Sequence, residues 1–239
     1  MGTYVLLILA AFAAALLSGA AGFGGSLLLL PVVTACLGAE AAVPVLTLAQ
    51  LMGNLARMAS GWREIQWKSV GWFCLTALPL AALGAFGFTV LPKDLVTRCI
   101  GGALILLALL QRFKIFRLKG NRRTLLAGGA VTGALSGLAG SGGPIGAAVF
   151  LSLNLAPVAY IASEAATATA MHLLKTVLYA KLTHVTPQAF GTGVLMGLAM
   201  VAGTFLAKRL IRNMERGRFQ KFVMVLLCLA GGYLLLFGA

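Results

Sequence analysis

Apolar residues along this chain come in blocks, and the blocks come in two lengths. Segments 42–60, 69–90, 95–111, 158–180, 188–207 and 222–237 approach or reach the length that a helix needs to cross a hydrocarbon core of roughly 30 Å. Segments 4–17, 26–37, 124–138 and 144–155 are shorter, spanning only roughly 18–22 Å as helix. The short blocks form two pairs, and a glycine cluster separates the members of each. Ser18–Ser26 reads SGAAGFGGS and Ser136–Pro144 reads SGLAGSGGP. The pattern predicts either a re-entrant hairpin with the glycines at its tip or two tilted spans. Irregular backbone at membrane depth is tolerated only where protein buries it or where it lines a wet cavity.

The two clusters lie 118 residues apart, and the likeness extends beyond them. At that offset Ser18, Gly19, Ala21, Gly22, Gly24 and Gly25 meet identical residues, Asn54 meets His172, Arg57 meets Lys175, and Arg63 meets Lys181. With one residue inserted, Gly84 meets Gly203. The chain therefore reads as an all-α polytopic membrane protein built from two repeats, 1–111 and 124–239, joined by a basic linker at 112–123. Each repeat is a glycine-broken hairpin followed by three transmembrane helices. Paired glycine-interrupted apolar segments in two halves point to the binding site of a secondary transporter.

Charge supplies orientation. Placing the basic stretches at 57–68, 112–123 and 208–221 on the cytoplasmic side assigns fifteen of nineteen Lys and Arg residues to it. An odd number of crossings per half then makes the repeats inverted. With 60% hydrophobic and 10% charged residues and a mean hydropathy of +0.99, the net charge of +14 reads as topology rather than as a nucleic-acid surface. The first 23 residues carry no Lys or Arg ahead of their apolar run, which favours a retained span over a cleaved leader. The four cysteines have no CxxC spacing and read as buried thiols, and neither histidine has a neighbour at metal-ligand spacing. HExxH, GxSxG and Walker A patterns are missing, so neither an enzyme nor a bound cofactor or metal is expected.

The chemistry concentrates at the clusters. A helix that begins at Gly-Gly presents free N–H groups and the positive end of its dipole. Two such ends meeting near the midplane would bind an anion through backbone. Candidate binding residues are Gly22, Gly24, Gly25 and Ser26 with Gly140, Ser141, Gly142, Gly143 and Pro144. Asn54 and His172, at equivalent positions in the third segment of each half, join them. Gln50, Arg57, Lys175 and Glu164 are candidates for gating or charge steering. The plainer readings are that the glycines permit close helix packing, that Arg57 and Lys175 snorkel to opposite surfaces, and that Glu164 pairs with a base or lies at the interface. Glu164 as a proton carrier is a further reading. Trp62, Trp67 and Trp72 read as an interfacial belt, Pro79 as a kink and Gly193-x-x-x-Gly197 as close packing.

The run Gly22-Phe-Gly-Gly-Ser-(x4)-Pro31, with its partner Gly140-Ser-Gly-Gly-Pro144, resembles the TauE/SafE sulfite exporter family, also called TSUP, over nearly the whole chain. The resemblance departs from strict repeat symmetry: Val149 stands where Pro31 would map. What it implies is a bacterial inner-membrane transporter that exports small sulfur-containing anions such as sulfite, organosulfonates or thiosulfate, with membrane lipid around it. A homodimer stays open. The competing expectations are a carrier or channel for another organic anion, and a membrane scaffold or assembly factor that transports nothing.

Overall fold

The computed structural model describes residues 2–23, 25–88, 119–140, 142–182, 186–211 and parts of 214–225. Among them are eight α-helices and no strand. They are α1 (Gly2–Ala21), α2 (Gly25–Leu37), α3 (Ala39–Ser60), α4 (Trp67–Phe88), α5 (Arg122–Ala139), α6 (Gly143–Leu151), α7 (Pro157–Leu182) and α8 (Pro187–Ile211). One 3-10 turn, Trp62–Glu64, joins α3 to α4. The expected span 95–111 lies outside the described residues, as do most of 222–237 and of the linker 112–123.

Among the described residues, three helices are long and apolar enough to cross a membrane by composition: Gly2–Ala21, Trp67–Gly87 and Pro187–Arg209. These are α1, α4 and α8. Helices α3 and α7, at 22 and 26 residues, are long enough but carry the polar side chains, and they pack against each other and against the other helices. Polar groups within a span face the bundle interior because lipid cannot solvate them. Accordingly Gln50, Asn54, Arg57, Glu164, His172 and Lys175 are all buried.

Small residues set the closest approaches. On α5, Gly129, Gly133 and Gly137 recur every fourth residue and lie on the carbonyls of Phe73, Ala77 and Ala81 of α4. A side chain at any of the three would strike that backbone. Gly84 of α4 returns the contact: a Cβ there would stand 2.5 Å from Ala134 O. Helices α1 and α8 pair in the same manner, with Gly203 against Phe12 O and Gly19 against Ala207. The expected close packing of Gly193 and Gly197 is present, against Leu48 and Met52 of α3. Without a hydrophobic driving force between helices in lipid, such contacts are the main source of cohesion.

Helices related by the 118-residue offset make related contacts. α1 packs on α8 and α5 on α4; α3 packs on α8 and α7 on α4; α3 and α7 pack on each other. Both glycine hairpins fold back on themselves. Gly120, just before α5, lies against Ser152 O and Leu153, just after α6. In the other hairpin Leu7 of α1 and Val33 of α2 share a core cluster with Val45 at the start of α3. The tips of the two hairpins meet inside the bundle, where Gly143 lies against Phe23. One end of the bundle gathers the basic groups: Lys208 Nζ donates to Ser60 O at 2.7 Å, and the Arg122 guanidinium lies 3.7 Å from the Trp72 ring centroid.

Two expectations about element lengths are corrected. The first member of each short pair is not short: α1 has 20 residues and α5 has 18. Helix α1 continues through Ser18, Gly19 and Ala20 because Gly19 is held against Thr204 and Ala207. Helix α5 begins two residues early, since Asn121 caps it by accepting from Thr124 N at 3.0 Å, so Arg122 and Arg123 belong to the helix rather than to a loop. Among the described helices, α2 and α6, at 13 and 9 residues, are the half-length ones. Cys36 and Cys74 are half-buried and unpaired, whereas Cys99 and Cys228 lie outside the described residues.

Candidate functional site

Each glycine cluster breaks its helix pair in the same way. Helix α1 ends at Ala21 and α2 begins at Gly25; α5 ends at Ala139 and α6 begins at Gly143, each boundary shifted by 118 residues. The turn residue is Gly22 in one (φ 86°) and Gly140 in the other (φ 69°). Both adopt the left-handed backbone that glycine alone enters without penalty. The Gly22 N–H donates to Ser18 O at 2.7 Å. Pro144 sits in the first turn of α6, where its missing N–H costs nothing.

The N-termini of α2 and α6 open into one cavity of about 30 Å³. Its wall includes Gly25, Ser26, Gly140, Gly142 and Gly143 from the two turns, with Phe23 and Ser136 beside them. Gln50, Asn54 and Arg57 of α3 complete it from one side, and Glu164, Met171 and His172 of α7 from the other. The clusters touch directly: a Cβ on Gly143 would stand 3.7 Å from Phe23 Cβ. Gly24 and Ser141 lie outside the described residues. Gly22 and Pro144 are not in the wall; the first forms the turn behind it and the second lies buried in α6.

Arg57 and Lys175 do not snorkel. Arg57 is 5% exposed and Lys175 fully buried, and each turns to the broken end of a hairpin helix. Arg57 Nη1 donates to Ser18 O at 3.0 Å, and Lys175 Nζ donates to Ser136 O at 3.0 Å and to Ser136 Oγ at 2.9 Å. Both contacts cross 39 residues and are the same contact under the repeat offset. A cation at a helix C-terminus meets orphan carbonyls and the negative end of the dipole, so each site stabilises the break beside it. Arg57 also donates to Asn54 Oδ1 and lies 3.7 Å from Glu164 Oε2. Glu164 therefore pairs with a base, in the interior rather than at the interface.

Several polar atoms in the wall are buried without a hydrogen-bond partner: Gln50 Nε2, Glu164 Oε2 and His172 Nδ1. Gln50 Nε2 lies at the N-terminus of α2, 2.7 Å from where a Gly25 Cβ would stand. A buried donor left unmet costs about 1–3 kcal/mol, and an oxyanion in the cavity would satisfy it. No group of metal-ligating side chains occurs among the described residues. On the far side of Arg57 a second, smaller hollow of about 10 Å³ lies between Arg57, Ser60 and Lys208. Arg57 thus stands between the central cavity and the basic end of the bundle.

Two tyrosines of α7 were not legible as part of this site. Tyr160 Oη donates to Ala21 O at 3.1 Å and Tyr179 Oη to Gly137 O at 3.0 Å. Their repeat counterparts are Ala42 and Gly61, so no internal symmetry marks them. Met171 and Ala168, also in the wall, read in sequence as ordinary core residues.

The family model described as Sulfite exporter TauE/SafE matches residues 7–234. No match was found among the curated proteins or among the solved structures.

Proposed function

Because this chain belongs to the sulfite exporter TauE/SafE family of membrane transporters, we propose that it is an alternating-access carrier that exports a small sulfur oxyanion, such as sulfite, thiosulfate or an organosulfonate, across a bacterial inner membrane. The anion binds in the cavity between the tips of the two hairpins. Its oxygens accept from the Gly25 N–H at the start of α2, from the Gly142 and Gly143 N–H groups at the start of α6, and from Gln50 Nε2, with His172, Asn54 and Arg57 around them. Pro144 has no N–H, and Ile145 and Gly146 donate to Gly142 O. The observation that carries this reading is the convergence of two helix N-termini on a cavity lined by unpartnered polar atoms. The cavity is small, which favours a compact anion over a bulky carboxylate or phosphate ester.

The two halves, 1–111 and 124–239 about the linker 112–123, act as inverted repeats in this proposal. The matching helix contacts under the 118-residue offset and the meeting of the two hairpin tips support it. So does the gathering of basic groups at one end, which we assign to the cytoplasm. Rocking one half against the other would expose the cavity first at one end and then at the other. The hollow at Arg57, Ser60 and Lys208 marks the inner approach.

The first test is thermal stabilisation of the purified full chain by sulfite, thiosulfate, sulfoacetate, taurine, sulfate and acetate. Stabilisation by a sulfur anion is expected, reduced at least roughly tenfold in apparent affinity by Gly143→Ala. That variant adds a methyl group in open contact at the cavity wall, so its fold is expected to survive. No response to any sulfur anion, with uptake into vesicles also absent, would overturn the reading in favour of a carrier for another anion or a scaffold.

A further inference from the structure

The cavity holds a cation that is already neutralised. Arg57 Nη1 faces Glu164 Oε2 at 3.7 Å, both side chains are buried, and that carboxylate oxygen has no hydrogen-bond partner. The chain has five acidic residues, and among the described ones Glu164 alone lines the cavity. Its charged and titratable surroundings are few. From α3 it faces Arg57; on its own helix Tyr160 lies one turn earlier and donates to Ala21 O. His172 follows two turns later in the same wall, and Lys175 lies beyond it with its ammonium held by Ser136 O and Oγ. The described wall residues contributed by the hairpins, Phe23, Gly25, Ser26, Ser136, Gly140, Gly142 and Gly143, carry no charge.

An anion entering this cavity meets a carboxylate that shares the same guanidinium. Two negative groups on one cation in a low-dielectric interior repel, and the surplus charge is costly to hold in the membrane. Lys175 shifts the background potential but is committed to the end of α5, so it does not replace Arg57 as a contact partner. One event removes the conflict: a proton on Glu164.

We propose that Glu164 is the proton-coupling site of the transport cycle. The proton and the anion occupy the cavity together, Arg57 exchanges Glu164 for the anion, and both leave on the same side. The proton comes from water on the loading side, forms an O–H bond at a carboxylate oxygen, and returns to water on the other side as the Arg57–Glu164 pair re-forms; nothing is oxidised or reduced. For a monovalent anion, net flow then follows the product of anion and proton concentrations on the two sides. With a divalent anion one negative charge crosses as well, and the membrane voltage adds to the drive. Outward flow is driven by internal accumulation of the anion. This inference rests on the cavity being the anion site.

Proteoliposomes of the full chain, with a pH-sensitive dye inside, would be given gradients of labelled thiosulfate and of methanesulfonate. Neither probe changes its charge near neutral pH, so any proton moved belongs to the protein. The expected result is about one proton per anion in the unaltered chain. In Glu164→Gln the anion is expected to move while the proton ratio falls at least tenfold, and Glu164→Asp is expected to keep the coupling. Anion flux without proton movement in the unaltered chain would overturn the proposal while leaving the transport reading intact, whatever becomes of the variants. The same holds for a Glu164→Gln chain that still moves protons with the anion. No flux of thiosulfate, methanesulfonate or sulfite in the unaltered chain would instead sink the transport reading and this inference with it.

Discussion

Arg57 and Lys175 occupy equivalent places but differ in what they leave behind when removed. Arg57→Met strands Glu164 as a buried unpaired charge, at a cost of about 3–5 kcal/mol. Lys175→Met removes hydrogen bonds from a charged donor without stranding an opposite charge, at about 1.5–3 kcal/mol. Chemical unfolding in detergent should rank the two in that order. The double variant Arg57→Met with Glu164→Gln should recover much of the first loss, as a double-mutant cycle would show. The turn glycines divide in a similar way. Alanine at Gly140 meets only Val43, at 3.6 Å, so it should cost roughly the 1–2 kcal/mol of left-handed backbone. Alanine at Gly22 adds a collision with the Tyr160 ring at 2.5 Å and should cost clearly more. The repeat alignment of Arg57 with Lys175 was legible in the sequence; their role was not. A snorkelling cation and one that caps a broken helix 39 residues away have the same local pattern.

At the scale of elements, glycines that look alike in sequence separate into two jobs. Gly129, Gly133 and Gly137 let α5 lie on the backbone of α4, whereas Gly25 and Gly143 leave space at the cavity. Gly133→Val should therefore prevent stable folding, because its branched side chain would strike Ala77 O directly. Gly143→Ala should fold and lose anion response. Comparing the two by thermal melting and by anion-dependent stabilisation separates packing from binding. The sequence had left both readings open for the glycines of the two clusters. Helix lengths failed for a related reason: the expected segments closed at the first run of small residues, but a packed neighbour keeps such residues helical, as Ala207 and Thr204 do for Gly19.

At the scale of the molecule, the basic groups decide which end faces which compartment. Lys208 contacts Ser60 at the end of α3, and Arg122 contacts Trp72 near the start of α4, one 3-10 turn later, so Arg63, Lys119 and Lys208 should share one compartment. Single cysteines at Arg63 and Lys119 are expected to resist an impermeant thiol reagent in whole cells and to react in inverted vesicles. Labelling of either from outside would reverse the orientation and with it the assignment of the Lys208 hollow to the inner approach. Trp62 and Trp67, exposed and edge-to-face at 4.9 Å, lie near the start of α4, whereas Trp72 is half-buried beneath the Arg122 guanidinium.

The sequence by itself determined the places where the chain must break and the residues that recur. Positive φ at Gly22 and Gly140, and new helices at Gly25 and Gly143, follow from local chemistry: a glycine has no Cβ to forbid the turn, and an apolar block on either side has no other state in lipid. Family membership was legible for the same reason, since these motifs are local and contiguous. Only the tertiary structure decided that the two tips touch, that Arg57 answers Ser18 and Glu164 at once, and that Gln50 Nε2 and His172 Nδ1 stay unpartnered beside them. Those facts depend on how helices far apart in the chain cross, and in a bilayer that crossing is set by the summed fit of small residues rather than by any pattern along one helix.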